Sequence, residues 1–162
     1  MESKRINEIV VVIASFLLIL ILVFGFRTIL LKKDSKEINI SNVAINISNE
    51  SEFEKINTTS IDIASAKKMF NLKDEEFAGI VGRKSMLNSY ACMFILIKST
   101  SQHVDDVEKK VIEYGKKYEE EWSTSENKEQ YEIVKKRVIG RKDNIIYMIV
   151  SADAEKLVEH IK

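Results

Sequence analysis

The run Ile9–Leu31 constrains this chain more than any other stretch. The eighteen residues from Ile9 to Phe26 carry no charge, and apolar character resumes after Arg27 with Thr28-Ile29-Leu30-Leu31. At about 1.5 Å rise per residue the uncharged part spans roughly 27 Å and the whole run about 35 Å, against a hydrocarbon thickness of ~30 Å. Only Ser15 and Gly25 interrupt it, so it lacks the polar face of a helix that lies along an interface. The run is read as one transmembrane helix, residues 9–31, behind a short tail, residues 1–8. A cleaved signal peptide has a shorter apolar region and a small-x-small site. Here Phe26-Arg27-Thr28-Ile29 follows instead, with no nearby cysteine to be acylated. The expectation is a retained anchor.

Charge around the run bears on orientation. Lys4 and Arg5 precede it, while Arg27, Lys32, Lys33 and Lys36 lie at its far end. Counted plainly, the positive-inside rule places the following domain in the cytoplasm.

About 130 residues follow the anchor, enough for one modest domain. Of the chain's 25 basic and 25 acidic residues, three and two precede Lys32, so Lys32–Lys162 holds 22 and 23 and is nearly neutral. That balance gives no electrostatic case for nucleic acid. The single Cys92 sits in an apolar run and reads as a buried, inert thiol.

Residues 32–58 read as a spacer rich in Asn, Ser and Ile. Ile38, Ile40, Val43, Ile45 and Ile47 stand among polar residues with a strand-like period. The folded domain is expected over residues 59–162. Thr59 and Asp62 suggest a capping box for a helix with Ile63, Ala66 and Phe70 on one face. Strands are predicted at Phe77–Gly82 and Tyr90–Lys98. In the second, Cys92 to Ile97 are apolar on both parities, which suggests an inner strand covered on both faces, or one face covered by helices and the other by a partner.

Ser99-Thr100-Ser101 offers N-caps for a long helix over Gln102–Trp122, whose Val104, Val107, Val111, Tyr114, Tyr118 and Trp122 recur at three and four residues. The aromatic members of that stripe are read as core rather than as a stacking face. Ser123 and Glu126 suggest the cap of a second helix to about Arg137, burying Tyr131 and Val134. Strands follow at Val138–Arg141 and Ile145–Ser151, joined by Lys142-Asp143-Asn144, and Ser151 is placed to cap a last helix. The predicted fold is α+β: a small antiparallel sheet of two β-hairpins with packed helices, in the order α-β-β-α-α-β-β-α.

No catalytic, cofactor-binding or metal-binding residue is expected. His103 and His160 fall on separate elements without ligand-spaced partners. The sequence has no phosphate-cradling glycine loop and no Gly-x-Ser-x-Gly. Its acidic residues come in runs such as Glu119-Glu120-Glu121, the pattern of solvated faces. A basic cluster of Lys135, Lys136, Arg137, Arg141 and Lys142 is the one surface feature suited to an anionic partner, such as headgroups or an envelope polymer.

From Met69-Phe70-Asn71-Leu72 through Lys98, and above all in Asn144-Ile145-Ile146-Tyr147-Met148-Ile149-Val150-Ser151-Ala152-Asp153-Ala154, the chain resembles a bacterial family known as domain of unknown function 4358. The resemblance covers about residues 60–162 and brings no activity with it. It implies placement, since such domains typically follow a lipoprotein signal or a single anchor on the outer face of Gram-positive membranes. Long domains translocate largely regardless of nearby charge, which favours that placement over the charge count. The expectation is a single-pass, non-enzymatic binding or interaction domain facing outward, with a protein or an anionic envelope polymer as partner. The alternatives are an envelope hydrolase or transferase using carboxylates, and a cytoplasmic-facing membrane adaptor.

Overall fold

The computed structural model describes residues 38–161. The expected transmembrane run lies outside the described residues, and no helix among them is long and apolar enough to cross a membrane. The described chain runs through α1 (Ile40–Ser48), α2 (Ser51–Lys55), β1 (Thr58–Ser60), α3 (Ile63–Phe70), a 3-10 turn (Asp74–Glu76), β2 (Phe77–Ser85) and β3 (Met93–Ser99). It continues through α4 (Val104–Ser123), α5 (Lys128–Lys135), β4 (Val138–Lys142), β5 (Ile145–Val150) and α6 (Ala154–Val158). The five strands form one antiparallel sheet in the order β1-β2-β3-β5-β4. The two predicted hairpins, β2–β3 and β4–β5, are both present. They join through β3 and β5, with Met93 opposite Val150 and Lys98 opposite Ile145.

Helices cover both faces, as the apolar run in β3 requires. Cys92, Phe94 and Leu96 share one core with Ile40, Val43, Ala44 and Ile47 of α1, Phe53 of α2 and Leu157 of α6. Met93, Ile95 and Ile97 share the other with Ala66 and Phe70 of α3, Val107 and Val111 of α4 and Val134 of α5. Cys92 is buried, as its setting suggests.

The strand-like reading of residues 38–47 is corrected. Asn39 caps α1, its Oδ1 accepting from the backbone N–H groups of Ser41 (2.9 Å) and Asn42 (3.3 Å). Ile40, Val43, Ala44 and Ile47 then fall on one helical face against the sheet. Ile45, on the same parity as Ile47, is 56% exposed while Ile47 is 0% exposed. Phe53 adds an edge-on contact with Phe94, ring centroids 5.2 Å apart. Part of the segment read as spacer is thus built into the first core.

The predicted caps also shift, each with its own hydrogen-bond partner. Thr59 lies in the edge strand β1, and Asp62 alone caps α3, accepting from Ser65 N–H at 2.6 Å. Ile63, expected inward, is 53% exposed. The hydroxyls of Ser99 and Thr100 donate to the carbonyls of Glu76 and Glu75 instead of capping α4, which begins after His103. Ser123 ends α4, its hydroxyl donating to the Glu120 carbonyl, and Asn127 caps α5 by accepting from Gln130 N–H. The Ser151 hydroxyl accepts from Asp153 N–H ahead of α6. Asp143, with φ 53°, supplies the left-handed residue of the tight β4–β5 turn.

These two isoleucines separate the helical from the strand reading. Ile47→Ala is expected to destabilise the protein by about 3 kcal/mol and Ile45→Ala by less than about 0.5 kcal/mol. Urea unfolding of the two variants checks this, since a strand with both on one face would give similar losses.

Candidate binding cleft

One end of the sheet carries an open cleft between the β2–β3 connection and the last turns of α4. Its volume is about 400 Å³, and Tyr90, Met93, Tyr114, Tyr118 and Trp122 line it together with Lys84, Ser85, Leu87, Asn88, Cys92, Glu121 and Ser125. The α4 wall follows from helical spacing. Tyr114, Tyr118 and Trp122 recur every four residues and meet in turn along the helix, the two tyrosines stacked with centroids 5.9 Å apart and Trp122 edge-on to Tyr118 at 6.1 Å. At the inner end Tyr114 meets Phe70 at 4.6 Å, so the ladder runs from the core out to the cleft. All three are half-buried. The reading of this stripe as core holds for the ring faces against Phe70 and the sheet, but the stripe also walls an open cleft.

The opposite wall is a loop held by hydrogen bonds. Ser85 Oγ accepts from Leu87 N–H at 3.0 Å, and Met86 N–H donates to the Asn57 carbonyl at 2.9 Å. Ala91 N–H donates to Oε1 of the buried Gln130 at 2.7 Å, and the Asn127 amide donates to the Ser89 carbonyl. An apolar side chain at position 130 would leave the buried Ala91 N–H without its acceptor. Sequence reasoning missed Gln130, because its partner lies on another element. Met86 and Leu87 at the loop tip are 65% and 54% exposed.

Burial pushes the Tyr114 phenol well above the ordinary tyrosine range, and the neighbouring Tyr118 and Glu121 add to the shift. Burial likewise raises Tyr118, against a hydrogen bond from the Trp122 indole that lowers it. Both phenols therefore stay neutral at physiological pH, able to donate and accept hydrogen bonds.

The five basic residues do not form one undivided patch. Lys135 pairs with Glu132 at 2.6 Å, Arg137 with Glu119 at 2.6 Å, and Arg141 with Asp105 at 2.5 Å and Glu108 at 3.1 Å. Lys136 is exposed at the C-terminal end of α5 and Lys142 at the far end of β4. His103 lies 3.7 Å from Asp106, and His160 Nε2 lies 2.9 Å from Glu50, which also meets Lys156. Among the described residues no group of three or more His, Cys, Asp and Glu is arranged to hold a metal.

Glu76 is the buried carboxylate among the described residues. Burial acts to raise it. The Lys110 ammonium, 2.7 Å from both oxygens, and the Lys73 N–H, 2.9 Å from Oε2, outweigh that and hold it below the ordinary carboxylate value. Lys110 also donates to the carbonyl of Asn71, the left-handed residue that ends α3. This arrangement ties three elements together. It does not poise an acid for proton transfer, which calls for a raised value.

The fold so built is a five-stranded antiparallel sheet between two helical layers, with the cleft at one end. A family model described as Domain of unknown function (DUF4358) matches residues 49–151, and the chain belongs to that family. The matched segment holds the whole sheet and both walls of the cleft, while α1 and α6 lie outside it. No curated protein and no solved structure matches the chain.

Because the native Glu76 carboxyl titrates below its unfolded value, its stabilisation is full above about pH 4.5 and declines as pH falls through the native value. Glu76→Gln is expected to lower stability by about 2 kcal/mol at pH 7, with the gap to the parent narrowing as pH falls through the native value. Thermal unfolding followed by circular dichroism from pH 7 to pH 3 measures both; a gap constant with pH would refute the charged pair.

Proposed function

We propose that this protein is a single-pass, membrane-anchored binding domain of the bacterial envelope, with the cleft as its ligand site and no catalytic role. The observation that carries the reading is the cleft itself. It sets an aromatic wall on α4 against a hydrogen-bonded loop, and it leaves that wall partly exposed where a core would close it. The buried carboxylate is committed to an ion pair, which speaks for binding over carboxylate catalysis. The apolar run Ile9–Leu31 supplies the anchor. The family's typical arrangement supports the outer face, with a protein or an envelope polymer as partner. The charge flanking the run counts the other way.

Placement is tested with the full chain in cells. Ser101 is exposed and Cys92 is 1% exposed, so Ser101→Cys adds one reactive thiol to a background whose own thiol is covered. An impermeant maleimide is expected to label Ser101→Cys in intact cells and to leave the parent unlabelled until it is denatured. Labelling only after lysis would place the domain in the cytoplasm and favour the adaptor. Release of the chain by alkaline carbonate would remove the anchor.

A further inference from the structure

We infer that the cleft takes a carbohydrate chain, with a sugar ring seated against Trp122 and Tyr118 and its polar groups met by Asn88, Glu121 and Lys84. The inference rests on the reading of the cleft as a binding site and adds the class of ligand. A pyranose is an amphipathic disc. Its C–H faces are apolar and suit an aromatic ring, while hydroxyl or acetamido groups around its edge need hydrogen-bond partners in the ring plane. The cleft offers that combination. Aromatic rings on α4 form one wall, and the residues around them carry an amide, a carboxylate and an ammonium on exposed side chains.

The cleft volume, about 400 Å³, lies at the lower end of the range for small-ligand sites and fits a short stretch of a chain rather than a protein surface. Its openness on one side allows that chain to continue past. At the loop tip Leu87 lines the cleft beside the rings, whereas the more exposed Met86 does not. Tyr114 and Tyr118 keep their protons and add neutral hydroxyls of the kind that exchange hydrogen bonds with sugars.

Trp122 is the chain's only tryptophan, so its fluorescence reports on this cleft alone. The full chain in lipid nanodiscs is titrated with a soluble hexamer of N-acetylglucosamine. A saturable change in emission is expected, with half-saturation between about 10 µM and 1 mM. Asn88→Ala and Glu121→Gln, both at exposed positions, are each expected to raise the half-saturation concentration by about five-fold, with unfolding midpoints unchanged. No saturable change, or one that both variants leave intact, overturns the inference. A photoreactive benzophenone amino acid at position 87, used in cells, separates the two levels of the argument. Crosslinking to a protein that Trp122→Ala abolishes, with no response to the glycan, overturns the carbohydrate class and leaves the cleft a binding site. Absence of both signals overturns the binding reading as well.

Discussion

Everything in this domain depends on burying β3 from both sides. Its run from Cys92 to Ile97 has no polar member, and none of the six residues is more than 2% exposed. Each fully buried side chain of this size contributes about 1.5–3 kcal/mol relative to exposure, so neither face can be left to water. β5 supplies Ile146, Met148 and Val150 to one face and Ile145 and Ile149 to the other, making β3–β5 the double-sided centre of the sheet. Two helical layers follow as a necessity. α1 is therefore no accessory to the sheet, although it lies before the segment that defines the family. Without it, the core around Phe94 and Leu96 would lose Ile40, Val43, Ala44 and Ile47.

The two layers are unequal, and the inequality makes the cleft. The first layer is built from helices of nine, five and five residues. The second contains α4, twenty residues and about 30 Å long, against seven residues and about 24 Å for β3. Val107, Val111 and Gly115 are the part of α4 seated on the sheet. At Gly115 the helix comes so close to β4 that an added Cβ would lie 2.5 Å from the Cδ1 of Ile139. One and two turns further on, Tyr118 and Trp122 run toward the open end of the sheet, where the β2–β3 loop is their neighbour. The aromatic stripe is thus continuous in sequence but changes role along its length, from core to cleft wall.

How much of this could be read from the residues depended on how many periods each stretch allowed. Cys92–Ile97, apolar on both parities, pointed to an inner strand, and left open only whether helices or a partner covered its second face; helices cover both. Residues 38–47 allowed two. Ile38, Ile40, Ile45 and Ile47 alternate, yet Ile40, Val43, Ala44 and Ile47 also trace a helical face. Asn39 as a cap and Ala44 as a small core residue were the signals that decide for the helix. The edge strand Thr58–Ser60 is three polar residues long and has no pattern to find. The hydroxyls of Ser99 and Thr100 were taken by distant partners, the carbonyls of Glu76 and Glu75, which local sequence does not display, while Ser123 turned back to the Glu120 carbonyl of its own helix. For the cleft, the aromatic spacing was visible, but its partial exposure was not, because that depends on where the sheet stops beneath α4.

The cleft walls stand on different elements, and buried polar contacts hold those elements in place. Gln130 on α5 fixes the β2–β3 loop through Ala91. Lys110 ties α4 to the end of α3 and to the turn before β2 through Asn71 and Glu76. Both contacts are costly to break, since each would strand a buried polar group. They therefore oppose drift of α4 and α5 against the sheet, and with it drift of one cleft wall against the other. A site positioned in this way has lost its conformational freedom during folding, so a ligand that enters it need not order the walls. Trp122 at the open end of the ladder is then positioned by packing on Tyr118, which in turn is positioned by Tyr114 and Phe70. The outermost ring inherits its orientation from the core.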